Sequence, residues 1–365
     1  MEQEIDIRPY LEDLERRINP EEEIRLEQAW IRFADGKCEE EVFVPGRKQV
    51  QPLLSWPHIM VNDAMKSSEL MILQQLATCS ENLRTGGGEL LSIRSNYGTG
   101  IIPTMLGAEC FYMPYETDTL PGSRPFPGGK EDLFRVMEKK WDYSKGLAGK
   151  VFEMAERYLE LTEAYPNIRR FVNYYNPDLQ GPLPLAEMTW GSDIYADMYE
   201  EEEEVEQALD FFTDLYLDFS GKWKALCPDF DQEHSVEWGL LHRGGTIIRN
   251  DAAMNISGEM YAELVRPRDQ RIIDAFGGCI HFCGRGHHYI EKVSEIRGIS
   301  GINMSQPDWN DMEVIYRNTI DKGLIIIGMP EPEVVRAREA GRPLHGLVHC
   351  GASIAAWEKK SDVGR

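Results

Sequence analysis

Residues 279–286 read Cys-Ile-His-Phe-Cys-Gly-Arg-Gly, an apolar run that ends on glycines. A short apolar run bounded by turn residues fits a buried strand better than a helix, which needs ten or more residues of periodic pattern. Residues two apart in a strand face the same way, so His281 and Cys283 are expected side by side at the strand's end. Outward from this run the texture alternates. Gly258 to Phe276 reads as helix, Gly301 to Met304 as strand, Met312 to Lys322 as helix, Leu324 to Gly328 as strand, and Gly346 to Cys350 as a last short strand. Upstream, strand-like runs at Leu90 to Arg94, Cys110 to Pro114, Arg170 to Tyr174, Val236 to Leu241 and Thr246 to Arg249 share the chain with helix-like Lys130 to Tyr165 and Glu200 to Leu226. Repeated strand-helix units predict an α/β fold, and over this length a (β/α)8 TIM barrel whose site lies at the C-terminal ends of its strands. Residues 8–35 carry two helices separated at Asn19-Pro20. The expected division is therefore an N-terminal helical extension over 1–80 and the barrel over 81–365; length alone also suits two ordinary domains.

The chemistry lies in the same run. One imidazole and two thiols, from His281, Cys283 and the distant Cys350, are soft donors suited to zinc. The plain alternative is that each cysteine is a small buried hydrophobe and the histidine a satisfied core residue.

Composition narrows the function classes. The 365 residues carry a formal charge of -23, which argues against nucleic acid or an anionic membrane as a partner met through a broad basic surface. Seven cysteines scattered over this length do not read as a disulfide framework. The acidic start at Met1 lacks the order of a signal peptide, and no apolar run is long enough to span a bilayer, so a reducing cytoplasm is the expected compartment. The glutamate run Glu200 to Glu204 reads as a helix start, where acidic side chains suit the dipole. The glycines after Arg84-Thr85 precede a strand and read as a turn, not a phosphate loop.

Residues at predicted strand ends complete the candidate site. Arg94, Asn96 and Tyr97 are placed to bind substrate, Arg94 by clamping a carboxylate. His242 and Asp251 are the candidate catalytic groups, with Asp251 able to orient a ligand histidine or to act as acid and base. His287, next to His288 beyond Gly286, is a further candidate for an anionic group of the substrate. Trp190 and Trp238 read as packing residues or as lining of the barrel mouth.

The stretch from Asn250-Asp251 through Ser257-Gly258-Glu259-Met260-Tyr261 and Pro267 to Ile280-His281-Phe282-Cys283-Gly284, then Gly301-Ile302-Asn303, resembles the C-terminal half of the uroporphyrinogen decarboxylase superfamily. Weaker similarity at Gly181-Pro182-Leu183 extends it over about three quarters of the chain. The resemblance implies a (β/α)8 barrel and, among the branches, points to the methyltransferases that hold zinc through a His-x-Cys pair and a distant cysteine. His281, Cys283 and Cys350 match that pattern. The implied activity is transfer of a methyl group from a corrinoid, with methylcobalamin as possible co-substrate, to a thiol or similar acceptor. Expected partners are a small-molecule substrate and a corrinoid protein, with self-association as a homodimer allowed. Asp308, after the next strand, is the expected fourth zinc ligand unless substrate or water fills that place. The alternatives are a metal-independent decarboxylase of a carboxylated tetrapyrrole or aromatic acid, using Arg94 and Asp251, and a noncatalytic barrel that binds a corrinoid or porphyrin. The arginine-rich N-terminal motif of the decarboxylase has no counterpart here.

Overall fold

The computed structural model describes residues 5–351. Within them two compact units form, residues 5–20, 50–84 and 91–228 in the first and 21–49, 85–90 and 229–351 in the second. The stretch expected as one N-terminal extension is therefore shared between them.

The first unit is mainly helical. Gly146–Leu161 and Glu202–Leu226 are its longest helices after residue 90, and the second opens with Glu202, Glu203 and Glu204 in its first turn, where the glutamate run was expected to start a helix. Phe152, Phe219, Trp223, Tyr158 and Tyr174 pack their rings edge to face or tilted. Aromatic rings bury large areas with preferred geometry, so a chain of this kind fixes the relative position of its helices. Lys130 to Tyr165 is not one helix: Lys130–Met137 ends before Gly146–Leu161 begins. Cys110–Phe111 pairs with Gly122–Ser123 as a small hairpin, and Ser92–Ile93 runs parallel to Asn173–Tyr174.

The second unit is built on a parallel sheet of five strands, labelled β1 (Thr246–Arg249), β2 (Gly278–Phe282), β3 (Ile299–Met304), β4 (Ile325–Met329) and β5 (Val348–Cys350). Their order across the sheet follows the chain, and a helix stands in every connection. Parallel strands need such crossovers, and strands covered on both faces become continuously apolar. The pattern is plain in β2 and β4, buried at every position. At Gly278 φ is 133°, and a Cβ would sit 1.8 Å from the carbonyl oxygen of Thr246, so only glycine lets β2 begin so close to β1.

Val236 to Leu241, expected as one strand, is a hairpin. His234–Glu237 and Leu240–Arg243 pair antiparallel across Trp238 and Gly239, whose φ values of 53° and 78° make the mirror-image turn that suits a tight hairpin. A tryptophan at positive φ is a poor turn signal, which is why alternation alone read straight through it. Val236, Leu240 and Leu241 join Ile247, Cys279, Ile325 and Ile327 in one core with Trp30, Phe33 and Phe43. Among the described residues, hydrogen bonding gives the five-stranded sheet and three separate two-stranded pairs, and does not close a ring of eight strands. No helix among them is long and apolar enough to cross a membrane.

Candidate metal centre

Register places Arg249, His281, Asn303 and Ile327 in one row across β1 to β4. Partners in register share a face, so the row presents a cation, an imidazole and an amide to the same side near the strands' C-terminal ends. Cys283 follows the last residue of β2, and Asp251 follows β1 after Asn250. The ligand atoms of Asp251, His281 and Cys283 all lie within 4.8 Å of one another. Cys283 Sγ is 3.4 Å from His281 Nε2, and Asp251 Oδ1 is 3.4 Å from the same nitrogen. Asp251 Oδ1 also accepts the Cys283 backbone N–H at 2.9 Å, which ties the two loops together.

The loop after β3 holds the loop after β2. Gln306 Oε1 accepts the Gly284 N–H at 2.6 Å, Asn310 Oδ1 accepts the Gly286 N–H at 2.7 Å, and Asn310 Nδ2 donates to the Gly284 carbonyl at 2.9 Å. Side-chain amides can satisfy a turn's backbone donors and acceptors together, so this clamp holds the segment carrying Cys283 without regular structure. The Trp238 ring packs tilted against His281, its centroid 5.4 Å away. Arg249 lies over the Trp238 ring at 4.6 Å and is ion-paired with Glu237 at 2.7 Å, both side chains buried. A buried ion pair and a cation over a ring keep this charge compensated beside the site.

The carboxylate in the group is Asp251. Asp308, expected there, is exposed and bonded to Arg336 at 2.7 Å. Cys350 ends β5 and lies outside the group: β3 and β4 stand between its strand and β2. Burial pushes the Cys350 thiol pKa up, and the charges next in effect are Glu331 and Arg338.

His242 is fully buried within the hairpin. The carbonyl of the next residue, Arg243, accepts a hydrogen bond from Ser300 near the start of β3, so His242 stands toward the edge where strands begin, opposite to Cys283. The unrecognised hairpin reversed its direction. His287 is half-buried; its backbone N–H donates to Asn310 and its Nδ1 accepts the Asp311 N–H at 3.3 Å. Its ring therefore helps start the helix Met312–Asn318.

Arg94, Asn96 and Tyr97 belong to the first unit. Arg94 pairs with Asp178 at 3.1 Å and donates to Asn96 Oδ1 at 2.9 Å. The carboxylate it was expected to clamp is thus matched within the chain. Tyr97 is 1 % exposed, and burial pushes its pKa up to about 12, so it packs in the core. Trp238, read from the sequence as packing or as lining of the mouth, packs beside His281; Asn303 was passed over as a site residue, because alternation along β3 gives its face but only register with β2 sets it beside His281.

Fold and site together define an α/β protein with a soft-donor group at the C-terminal edge of a parallel sheet. No family model matches the chain, and no curated protein does. Among solved structures, a methyltransferase from Methanosarcina mazei is similar to it, with a TM-score of 0.60 over 89 % of this chain and 92 % of that one. The identity is 16 %, so the likeness is one of fold.

Proposed function

We propose that this chain is a zinc-dependent methyltransferase built on a (β/α)8 barrel of the uroporphyrinogen decarboxylase superfamily, moving a methyl group from a corrinoid to a thiol. The observation that carries the reading is the convergence of Asp251, His281 and Cys283, and the fold likeness to a methyltransferase supports it. The donor set fits the metal: imidazole, thiolate and carboxylate are all zinc ligands, and three of them leave a coordination place for substrate. When bound, zinc supplies a centre that lowers the pKa of an incoming thiol and holds it as the nucleophile.

The chain's own residues then position and enclose. Asp251 holds the Cys283 N–H, Gln306 and Asn310 keep the loop after β2 in place, and Trp238 packs against the His281 ring. In the transfer the acceptor sulfur, its proton already lost to solvent, forms a bond to the methyl carbon. The carbon–cobalt bond breaks with its electron pair left on cobalt, the methylcobalamin or corrinoid protein being the donor. The decarboxylase alternative would use Arg94 for a substrate carboxylate, and that guanidinium already faces Asp178.

The test uses full-length protein. It should contain about one zinc per chain, methylate a supplied thiol from methylcobalamin, lose that activity to a chelator and regain it with added zinc. Thiol methylation that survives complete metal removal sinks the proposal.

A further inference from the structure

We propose that Asn303 is a positioning residue that selects Nε2 of His281 as the metal-binding atom. The inference rests on the metal reading and adds to it a device that the chain builds without metal. Asn303 is buried, and its two ends have different partners: Nδ2 donates to the Ile327 carbonyl at 2.6 Å, while Oδ1 lies 2.6 Å from His281 Nδ1. A carbonyl oxygen only accepts, so the amide nitrogen must face Ile327 and the amide oxygen must face the histidine. The opposite rotamer would set two acceptors against each other in a buried place. His281 Nδ1 must then carry the proton, and in the neutral ring Nε2 carries the lone pair. That lone pair is the atom 3.4 Å from Cys283 Sγ and 3.4 Å from Asp251 Oδ1.

The anchor for this arrangement is the Ile327 carbonyl on β4, whose residue is in register with Asn303 on β3; the other edge of β4 is irregular. Between Ile326 and Met329 the pairing of β4 with β5 slips. The Gly328 N–H there goes to the side chain of His349 at 3.1 Å, and the Ile327 carbonyl takes the Asn303 amide. The partner of a ligand histidine's second nitrogen fixes both tautomer and ring plane, and losing it costs roughly 10–100-fold in metal affinity.

The tautomer can be read in metal-free protein by two-bond proton–nitrogen correlation NMR on labelled chains, assigned with a His281→Gln control. Wild type should show His281 protonated at Nδ1. Asn303→Leu, close in shape, should lose that preference and bind zinc about 10–100-fold more weakly by chelator competition. Asn303→Asp keeps an acceptor facing Nδ1 but sets its second oxygen against the Ile327 carbonyl, so it should restore the tautomer and only part of the affinity. A wild-type His281 protonated at Nε2 overturns the proposal even if Asn303→Leu fails to fold. So does an Asn303→Leu protein with unchanged affinity, whatever its tautomer. Wild-type protein that binds no zinc would end the metal reading, while the tautomer measurement would still decide the role of Asn303.

Discussion

Ligand atoms gather within 4.8 Å at Asp251, His281 and Cys283, and they gather equally closely at Asp35, Glu233 and His234. The second cluster is already balanced. Arg243 bonds Asp35 at 3.0 Å and Glu233 at 2.8 Å, Lys37 bonds Asp35 at 2.8 Å, and His234 stands between Asp35 and Asp231 at 3.3 and 3.0 Å. The Lys37 ammonium is the largest influence holding the Asp35 carboxyl below its usual range. Two of its three donors are carboxylates and none is a thiol, its cations are protein side chains, and it lies where the hairpin begins. At Asp251 the partners are an imidazole and a peptide N–H, and a thiol completes the group. Proximity of ligand atoms does not distinguish these clusters; what compensates the carboxylate does. Asp269 shows the remaining solution: fully buried, it accepts from Tyr261 at 2.7 Å and Asn250 at 2.6 Å, and burial pushes its pKa up to about 7. A carboxylate can thus be matched by a cation, by a proton, or, in the proposal above, by a metal.

The largest expected effect tests the proton case. A carboxyl whose folded pKa is raised from 3.8 to about 7 favours folding fully below the unfolded value and loses that contribution as pH rises to the folded one. Between pH 4 and pH 8 the wild type should lose roughly 4 kcal/mol relative to Asp269→Asn in urea unfolding. Parallel pH profiles would mean that Asp269 ionises freely. Next comes Cys283→Ser, which should weaken zinc binding by about 100-fold or more, because a hydroxyl is a far poorer ligand than a thiolate. Equilibrium dialysis that finds wild-type affinity in this variant removes Cys283 from the site.

Smaller effects separate the two clusters. Asp251→Asn should cost about tenfold in zinc affinity while keeping an acceptor for the Cys283 N–H. Cys350→Ser measured beside it shows whether the last strand supplies a ligand: a comparable loss adds Cys350 to the set, and no loss excludes it. Smallest is Asp35→Asn, expected to leave zinc stoichiometry unchanged. It should lower stability by about 1 kcal/mol or less, because half-exposed Arg243 is screened, and the loss should shrink further in high salt. A drop in bound zinc would mean that the two clusters had been told apart wrongly.

Much of the second unit was legible. β1 begins and ends where apolar patterning put it, and β2 to β5 lie within one or two residues of expectation, because buried parallel strands leave uninterrupted apolar runs. His281 and Cys283 were paired correctly because strand alternation is local. The hairpin was missed because its turn residues, Trp238 and Gly239, do not look like the asparagine–glycine pairs that usually mark such turns. That one miss also misplaced His242. Tyr97 and Arg94 show a second limit: their types suit a site, but burial of one and the Asp178 partner of the other depend on segments far apart in the chain.

By itself the sequence determined most of the strand and helix periods and the soft donors two residues apart at a strand end. These follow from local backbone geometry and side-chain chemistry. Only the tertiary structure decided that Asp251 rather than Asp308 meets them, that Asn303 holds the histidine, and that Arg243 compensates the competing cluster. Those outcomes depend on sheet register and loop closure, which bring together residues 20 or more positions apart, and no local pattern encodes which of several similar carboxylates will arrive.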